Sequence, residues 1–327
     1  MKINKLVLLI VICFFMTGCV SYTELNELGI IDMILIDKKD DNYIVTINML
    51  TPKKDDLEAK TTYSATDLTL DKCLGDLYLY SSKKISFSHL ELMVFTPNIA
   101  KKEYDEIINL FLNRVDSRNT FNTVIIDNYE KLFNYKSRDI NDLININNSE
   151  SGIVETKQFD DVIKDILELE ISYIPRLTIK DTLLIEGYQS IYDKNKLLTK
   201  EESIGYNFIT NNIHQSTFTS NNIGFKLNSP NTSIKVDKNK IQINVNSTYQ
   251  IVNNNTNINN DKDLEKECNK AIKKYISAFL KDNNLNYFYN IIKKYDYKYY
   301  LDTNNIKIEF DINTNLVKVD NSNIKGD

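Results

Sequence analysis

A chain of 327 residues with 42% hydrophobic residues, 20 tyrosines and 14 phenylalanines is long enough for two or three domains of roughly 100–200 residues, each able to bury a core. The formal charge of −5 is carried without a basic block, which excludes nucleic acid as a partner, because phosphate binding needs clustered Lys or Arg. Eight glycines in all, with no glycine-rich loop, exclude a nucleotide-binding doubly wound domain.

The chain opens with Lys2 and Lys5, continues with an uninterrupted apolar run from Leu6 to Met16, and then turns small and polar. That order is the n-region, h-region and cleavage site of an export signal. The run is too short to cross a bilayer, which takes about 20 apolar residues for roughly 30 Å of hydrocarbon. Met16-Thr17-Gly18-Cys19 looks like a bacterial lipobox, with Met where leucine is usual. Residues 1–18 are therefore expected to be a lipoprotein signal peptide, and Cys19 the lipidated first residue of the mature chain, carrying S-diacylglycerol and an N-acyl group. Several acyl chains anchor stably where one binds only marginally. The alternative is an ordinary secretory signal with an incidental cysteine.

Ile30 to Ile36 and Tyr43 to Met49 flank a turn over 38–42, and their β-branched content predicts a hairpin. Leu70, Cys73, Leu74, Leu77 and Tyr78 recur at helical spacing and predict a helix over 68–80. A strand is expected over 85–95, and then a helix capped by Thr96-Pro97 with Tyr104, Ile107, Ile108 and Phe111 on its buried stripe. Val124 to Ile126 reads as a short strand and 139–151 as a polar connection. Phe159, Val162, Ile163, Ile166 and Leu167 predict an amphipathic helix, and strands are expected over 182–192 and 196–198. Thr199-Lys200-Glu201-Glu202 fits a capping box. Beyond His214 come long alternating segments, a helix from N-cap Asp261 through Phe279, a tyrosine-rich stretch over 287–300, and closing strands over 306–312 and 316–319. The pattern predicts an α+β protein of two or three small mixed subdomains with largely antiparallel sheets. The domains are placed at 19–212, with a subdivision near 139–155, and at 213–327.

Candidate chemistry is sparse. Cys73 and Cys268 sit on apolar helical faces and read as buried free thiols, with a disulfide as the alternative. His89 and His214 are the only histidines and no CxxC is present, so no metal site is expected. His89 is placed in a strand with a structural, hydrogen-bonded role, and His214 is expected to be exposed at the domain junction. Pairs such as Asp160-Asp161 and Glu201-Glu202 read as surface or capping groups, since adjacent helical residues do not face one another. The tyrosines near 287–300 could form a sugar platform or a packed amphipathic segment. No catalytic residue and no cofactor is expected.

The order of these features resembles the Ger(x)C family, the lipoprotein C subunits of spore germinant receptors. The resemblance rests on the lipobox followed by Glu24-Leu25-Asn26-Glu27-Leu28-Gly29, the strand ending Ile36-Asp37, Phe87-Ser88-His89-Leu90 with the Ala100 helix, and Arg114 and Arg118. It continues through Ile185-Glu186-Gly187-Tyr188-Gln189-Ser190-Ile191-Tyr192-Asp193-Lys194-Asn195-Lys196-Leu197 and Glu201-Glu202-Ser203-Ile204-Gly205. It departs at Val20-Ser21-Tyr22, where the family has tryptophan and aspartate, and in the total absence of tryptophan. The resemblance implies a non-enzymatic subunit held by its lipid on the outer face of the inner spore membrane. It implies two integral membrane partners, a large A subunit and a transporter-like B subunit, in the response to small germinants. The alternatives are an exported solute-binding or cell-surface lipoprotein, and a surface enzyme with two placed carboxylates.

Overall fold

Strands β1 (Leu28–Lys39) and β2 (Asn42–Thr51) pair antiparallel around a two-residue turn, in which Asp40 takes a left-handed conformation at φ 56°. The computed structural model describes residues 27–51, 59–99, 101–192, 195–237, 240–258, 260–281, 284–295 and 307–317. β1 is buried on both faces over Met33, Ile34, Leu35 and Ile36, as the near-continuous apolar run of a central strand requires. After β3 (Ala59–Asp67), helix α1 (Leu70–Tyr80) starts at Thr69, whose hydroxyl accepts from the Lys72 N–H. Then come β4 (Lys84–Ser86), β5 (Leu92–Phe95), α2 (Lys101–Leu112), β6 (Asn122–Ile126), α3 (Ser137–Ser151), β7 (Lys157–Gln158), α4 (Phe159–Leu169), β8 (Ser172–Ile179) and β9 (Leu183–Ile191). The nine strands form one sheet in the order β3-β2-β1-β5-β6-β8-β9, with β4 beside β1 and β7 beside β6. β1, β5, β6 and β8 run parallel.

Helix α5 (Lys200–Thr210) leads to a second sheet of β10 (Gln215–Ser220), β11 (Ile223–Asp237), β12 (Lys240–Asn254) and β13 (Lys307–Leu316), in that order. Between β12 and β13 lie α6 (Asp261–Phe279) and α7 (Asn284–Tyr295), and β13 returns parallel to β12. The protein is thus α+β, with two mixed sheets: the first is parallel at its centre and antiparallel at its flanks, and the second is antiparallel except for the β12–β13 pair.

Alternation along the strands divides the apolar side chains between two cores. Ile34, Ile36, Met93, Phe95 and Ile125 point to the face covered by Cys73 and Leu77 of α1, Tyr104, Ile107 and Phe111 of α2, and Phe159 and Val162 of α4. Met33, Leu35, Val94, Val124 and Ile126 point the other way, into a core continuous with Tyr206 and Phe208 of α5, Phe225 and Ile243 of the second sheet, and Cys268, Ile272 and Phe279 of α6. Each such aromatic or branched side chain contributes about 1.5–3 kcal/mol on burial. The two sheets are therefore held together by a shared apolar core.

Several expectations are corrected. The strand over 85–95 is two short strands separated by a turn, and His89 lies in that turn, exposed, instead of bonded within a strand. The polar connection over 139–151 is helix α3, which buries Ile140, Ile144 and Asn148 at four-residue spacing. Thr96 is not seen capping a helix; it is buried and donates its hydroxyl to Asp37. The N-cap of α6 is Asn260, one residue before Asp261. Tyr78 and Leu167 leave the buried stripes of α1 and α4 for the surface. The capping box at Thr199 and Glu202 is formed in full.

Candidate functional site

The carboxyl ends of the parallel strands are where open sheets of this kind usually place their sites. Asp37 ends the apolar stretch of β1 and is 4% exposed. Its carboxylate accepts from the Thr96 hydroxyl, the Asn98 amide at 3.0 Å, the Tyr129 hydroxyl at 2.8 Å and the Lys38 backbone N–H at 2.8 Å. Burial, and then the bond to Asp37, push the Tyr129 phenol up to about 12. Beside it the Lys38 ammonium sits 3.8 Å from the Tyr43 ring centre, and the Tyr43 hydroxyl donates to Glu106 of α2. Further along the edge, Arg176 of β8 donates to Asp127 at 2.8 Å, Glu186 at 2.9 Å and Gln189 at 2.6 Å. Each of these carboxylates accepts from the chain's own donors. The arrangement holds the strand ends in register.

A second buried cluster lies nearer the amino end of β1. Asp32 accepts from the Asn48 amide and from the Ser137 hydroxyl at 3.1 Å, and Ser137 also lies 2.5 Å from Glu91. Burial outweighs these bonds and holds the Asp32 carboxyl above the usual aspartate range.

The third feature is a cleft of about 880 Å³ bordered by α4, α5, α7 and the β11–β12 hairpin, within the size range of small-molecule sites. Ile234 and Val236 of β11 and Ile291 and Ile292 of α7 give it apolar walls, and Tyr206 and Tyr287 reach it with hydroxyls 3.4 Å apart. Asp165 lines it while accepting from Lys157 at 2.7 Å and Ser172 at 3.0 Å. Thr232, also in the lining, keeps a buried hydroxyl that has no partner among the described residues. Lys157 and Lys235 balance Asp165 and Asp237, so the cleft presents no net charge. Tyr287 is buried against Tyr173, Tyr206 and Phe279, as a packed segment requires, and residues 296–300 of the tyrosine-rich stretch lie outside the described residues. Among the residues singled out in the sequence, Cys19 lies outside the described residues. Cys73 and Cys268 are free and buried, each in a different core. His214 is exposed just before β10. Among the described residues, no group of His, Cys, Asp or Glu could hold a metal ion, and no helix is long and apolar enough to cross a membrane.

The family described as the spore germination protein N-terminal domain matches residues 21–179. Residues 21–179, just under half of the chain, therefore carry a spore germination domain, in keeping with the Ger(x)C resemblance. The match begins two residues after Cys19 and ends with Ile179, the last residue of β8. It therefore takes in the Asp37 and Asp32 clusters, while β9, α5 and the second sheet lie beyond it. Ger(x)C features outside the matched span still have structural reasons here: at φ +148°, a methyl on Gly187 would lie 2.5 Å from the Leu198 carbonyl oxygen, where only glycine fits. The crystal structure of the GerBC protein is similar over 87% of this chain and 97% of its own, at 14% identity and a TM-score of 0.47. No curated protein matches the chain.

Proposed function

We propose that this protein is a membrane-anchored, non-catalytic subunit of a spore germinant receptor that takes part in nutrient-triggered germination. The observation that carries the reading is the juxtaposition of a spore germination domain starting at residue 21 with Met16-Thr17-Gly18-Cys19 directly before it. Cleavage after Gly18 and lipidation of Cys19 hold residues 19–212 and 213–327, taken as two domains sharing a core, at the outer face of the inner spore membrane. Confinement to a surface raises the effective concentration of the subunit for integral membrane partners, which the family resemblance names as the A and B subunits. The Asp37 and Arg176 networks serve this role by fixing the strand edges as a rigid docking scaffold. Labelling spores with palmitate tests the anchor: the wild-type chain is expected to carry label and to fractionate with membrane. Label and membrane association that survive in Cys19→Ala would sink the anchored reading.

One observation favours a second reading, that of an exported solute-binding lipoprotein. The uncharged cleft has the volume and the orphan hydroxyl of a ligand site. A stoichiometric small molecule copurifying with the chain, with no germination defect on gene deletion, is the result that would select it.

A further inference from the structure

The amino ends of the parallel strands carry an apolar surface that neither core uses. Leu79 and Tyr80, at the end of α1, are 81% and 57% exposed, and Leu112 and Val115, at the end of α2 and in the turn after it, are 52% and 104% exposed. These four lie at neighbouring helix ends, which Arg114 ties together. Its guanidinium donates to the Tyr78 hydroxyl at 2.8 Å, pairs with Asp116 at 2.9 Å and lies 4.3 Å from the Phe87 ring centre.

The position of the patch follows from topology. α1 leaves the end of β3, whose last residue Asp67 is paired with Tyr43 near the carboxyl end of β1, and it delivers the chain to β4, which pairs in parallel with Leu28–Ile30. α2 likewise starts beyond the carboxyl end of β5 and ends before the start of β6. Both helices therefore finish at the level where β1 begins. Gly29 marks the same level, since a methyl there would meet the Lys83 side chain at 3.3 Å. Between Cys19 and Leu28 the chain reaches at most about 30 Å when fully extended, so an anchored Cys19 keeps this end close to the bilayer. Exposed leucine and valine flanked by tyrosine are the side chains that settle at a lipid boundary.

We propose that Tyr78, Leu79, Tyr80, Leu112 and Val115 form a lipid-contacting face. The short tether and this face together then fix one orientation, with the carboxyl-end network of Asp37 and Arg176 turned away from the membrane. The inference rests on the anchored reading of Cys19 and concerns the bilayer as occupant, not a partner protein.

The chain contains no tryptophan, so a single introduced one is a clean reporter. The full chain is reconstituted in phosphatidylcholine and phosphatidylglycerol vesicles containing acyl-brominated lipid, as Leu79→Trp, as Val115→Trp, and as Leu68→Trp. Leu68 is 60% exposed just before the other end of α1, about 15 Å away along the helix. Bromolipid is expected to quench emission at positions 79 and 115 by about twofold or more and to leave position 68 unchanged, as insertion at the headgroup–acyl boundary requires. Equal quenching at all three positions, or none at any, overturns the orientation. The mass of the same samples reports lipid on Cys19 separately: a lipidated chain without selective quenching refutes the face and leaves the anchor, whereas selective quenching of an unlipidated chain refutes the anchor and leaves the face.

Discussion

Gly205 of α5 packs so closely beneath the Tyr275 carbonyl of α6 that a methyl group in place of its hydrogen would lie 2.2 Å from the oxygen. The contact joins the helix that follows the first sheet to the helix that covers the second. Gly205→Ala forces the two helices apart, and overpacking of this kind costs about 1–3 kcal/mol. Thermal melting should show a clear drop for this variant. Gly75→Ala is the matched control: no atom lies within 4 Å of its added methyl, and helix propensity alone favours alanine by about 1 kcal/mol. A Gly205→Ala melt equal to wild type would mean that α5 and α6 are not packed as described.

Tyr188 is expected to matter more than Tyr287, although both are buried tyrosines facing Tyr206. The Tyr188 hydroxyl donates to Asn207 at 2.9 Å and accepts from the Glu155 N–H at 2.8 Å. Tyr188→Phe orphans the buried Asn207 amide oxygen, at about 1–3 kcal/mol, and removes the partner of the partly buried Glu155 N–H. Among the described residues the Tyr287 hydroxyl has only a 3.4 Å contact with Tyr206, near the limit of a hydrogen bond, and Tyr287→Phe should cost under about 1 kcal/mol. Denaturant titration of the two variants measures the difference, and the reverse ranking would contradict the hydrogen-bond assignment.

The capping box of α5 predicts a pH signature. Burial pushes the Glu202 carboxyl up, but the Thr199 backbone N–H and the Lys196 ammonium outweigh it and hold the group below its usual value of 4.5. A depressed folded-state value means that the stabilisation is fully present above the unfolded value and disappears as pH falls through the folded one. The stability gap between wild type and Glu202→Gln should therefore be constant near neutrality and close below pH 4.5, whereas Thr199→Ala should lose about 1 kcal/mol at neutral pH.

Asp32 should show the opposite slope. Burial raises its carboxyl above the usual 3.8, so the folded state holds the proton more tightly and stability falls as pH rises through the interval between the two values. Asp32→Asn should remove that fall, and an unchanged pH profile in the variant would show that the Asp32 cluster does not set it.

The buried thiols give a count that also reads the leader. Burial pushes the Cys268 thiol up to about 12 and raises that of Cys73 as well, so neither should react with Ellman's reagent in the folded protein. After unfolding, a mature chain that has lost Cys13 and carries a thioether at Cys19 exposes only Cys73 and Cys268. A third or fourth reactive thiol would point to an unprocessed chain.

Local signals were legible and long-range ones were not. The hairpin of β1 and β2, the stripes of α1, α2, α4 and α6, and the Thr199 box are written in neighbouring residues. Helix α3 escaped notice because Asn145, Asn147 and Asn148 dilute its Ile140–Ile144 stripe to the appearance of a loop. β3 is an edge strand with Thr61, Thr62, Ser64 and Thr66 exposed, so alternation there is faint. The parallel centre depends on pairings between strands separated by helices, which no local window records. The same holds for the cleft, whose lining comes from six separate elements, and for the exposed residues around Leu79 and Val115, which the Arg114–Tyr78 bond brings to one end of the sheet.

The most direct test of the central claim is complementation of a strain lacking this gene, with germination scored nutrient by nutrient. The account predicts that deletion abolishes or slows the response to at least one nutrient, that the wild-type gene restores it, and that Cys19→Ala, made at normal levels but released from the membrane, does not. Full restoration by Cys19→Ala, or normal germination of the deletion strain to every nutrient in a background without paralogous receptors, would contradict it.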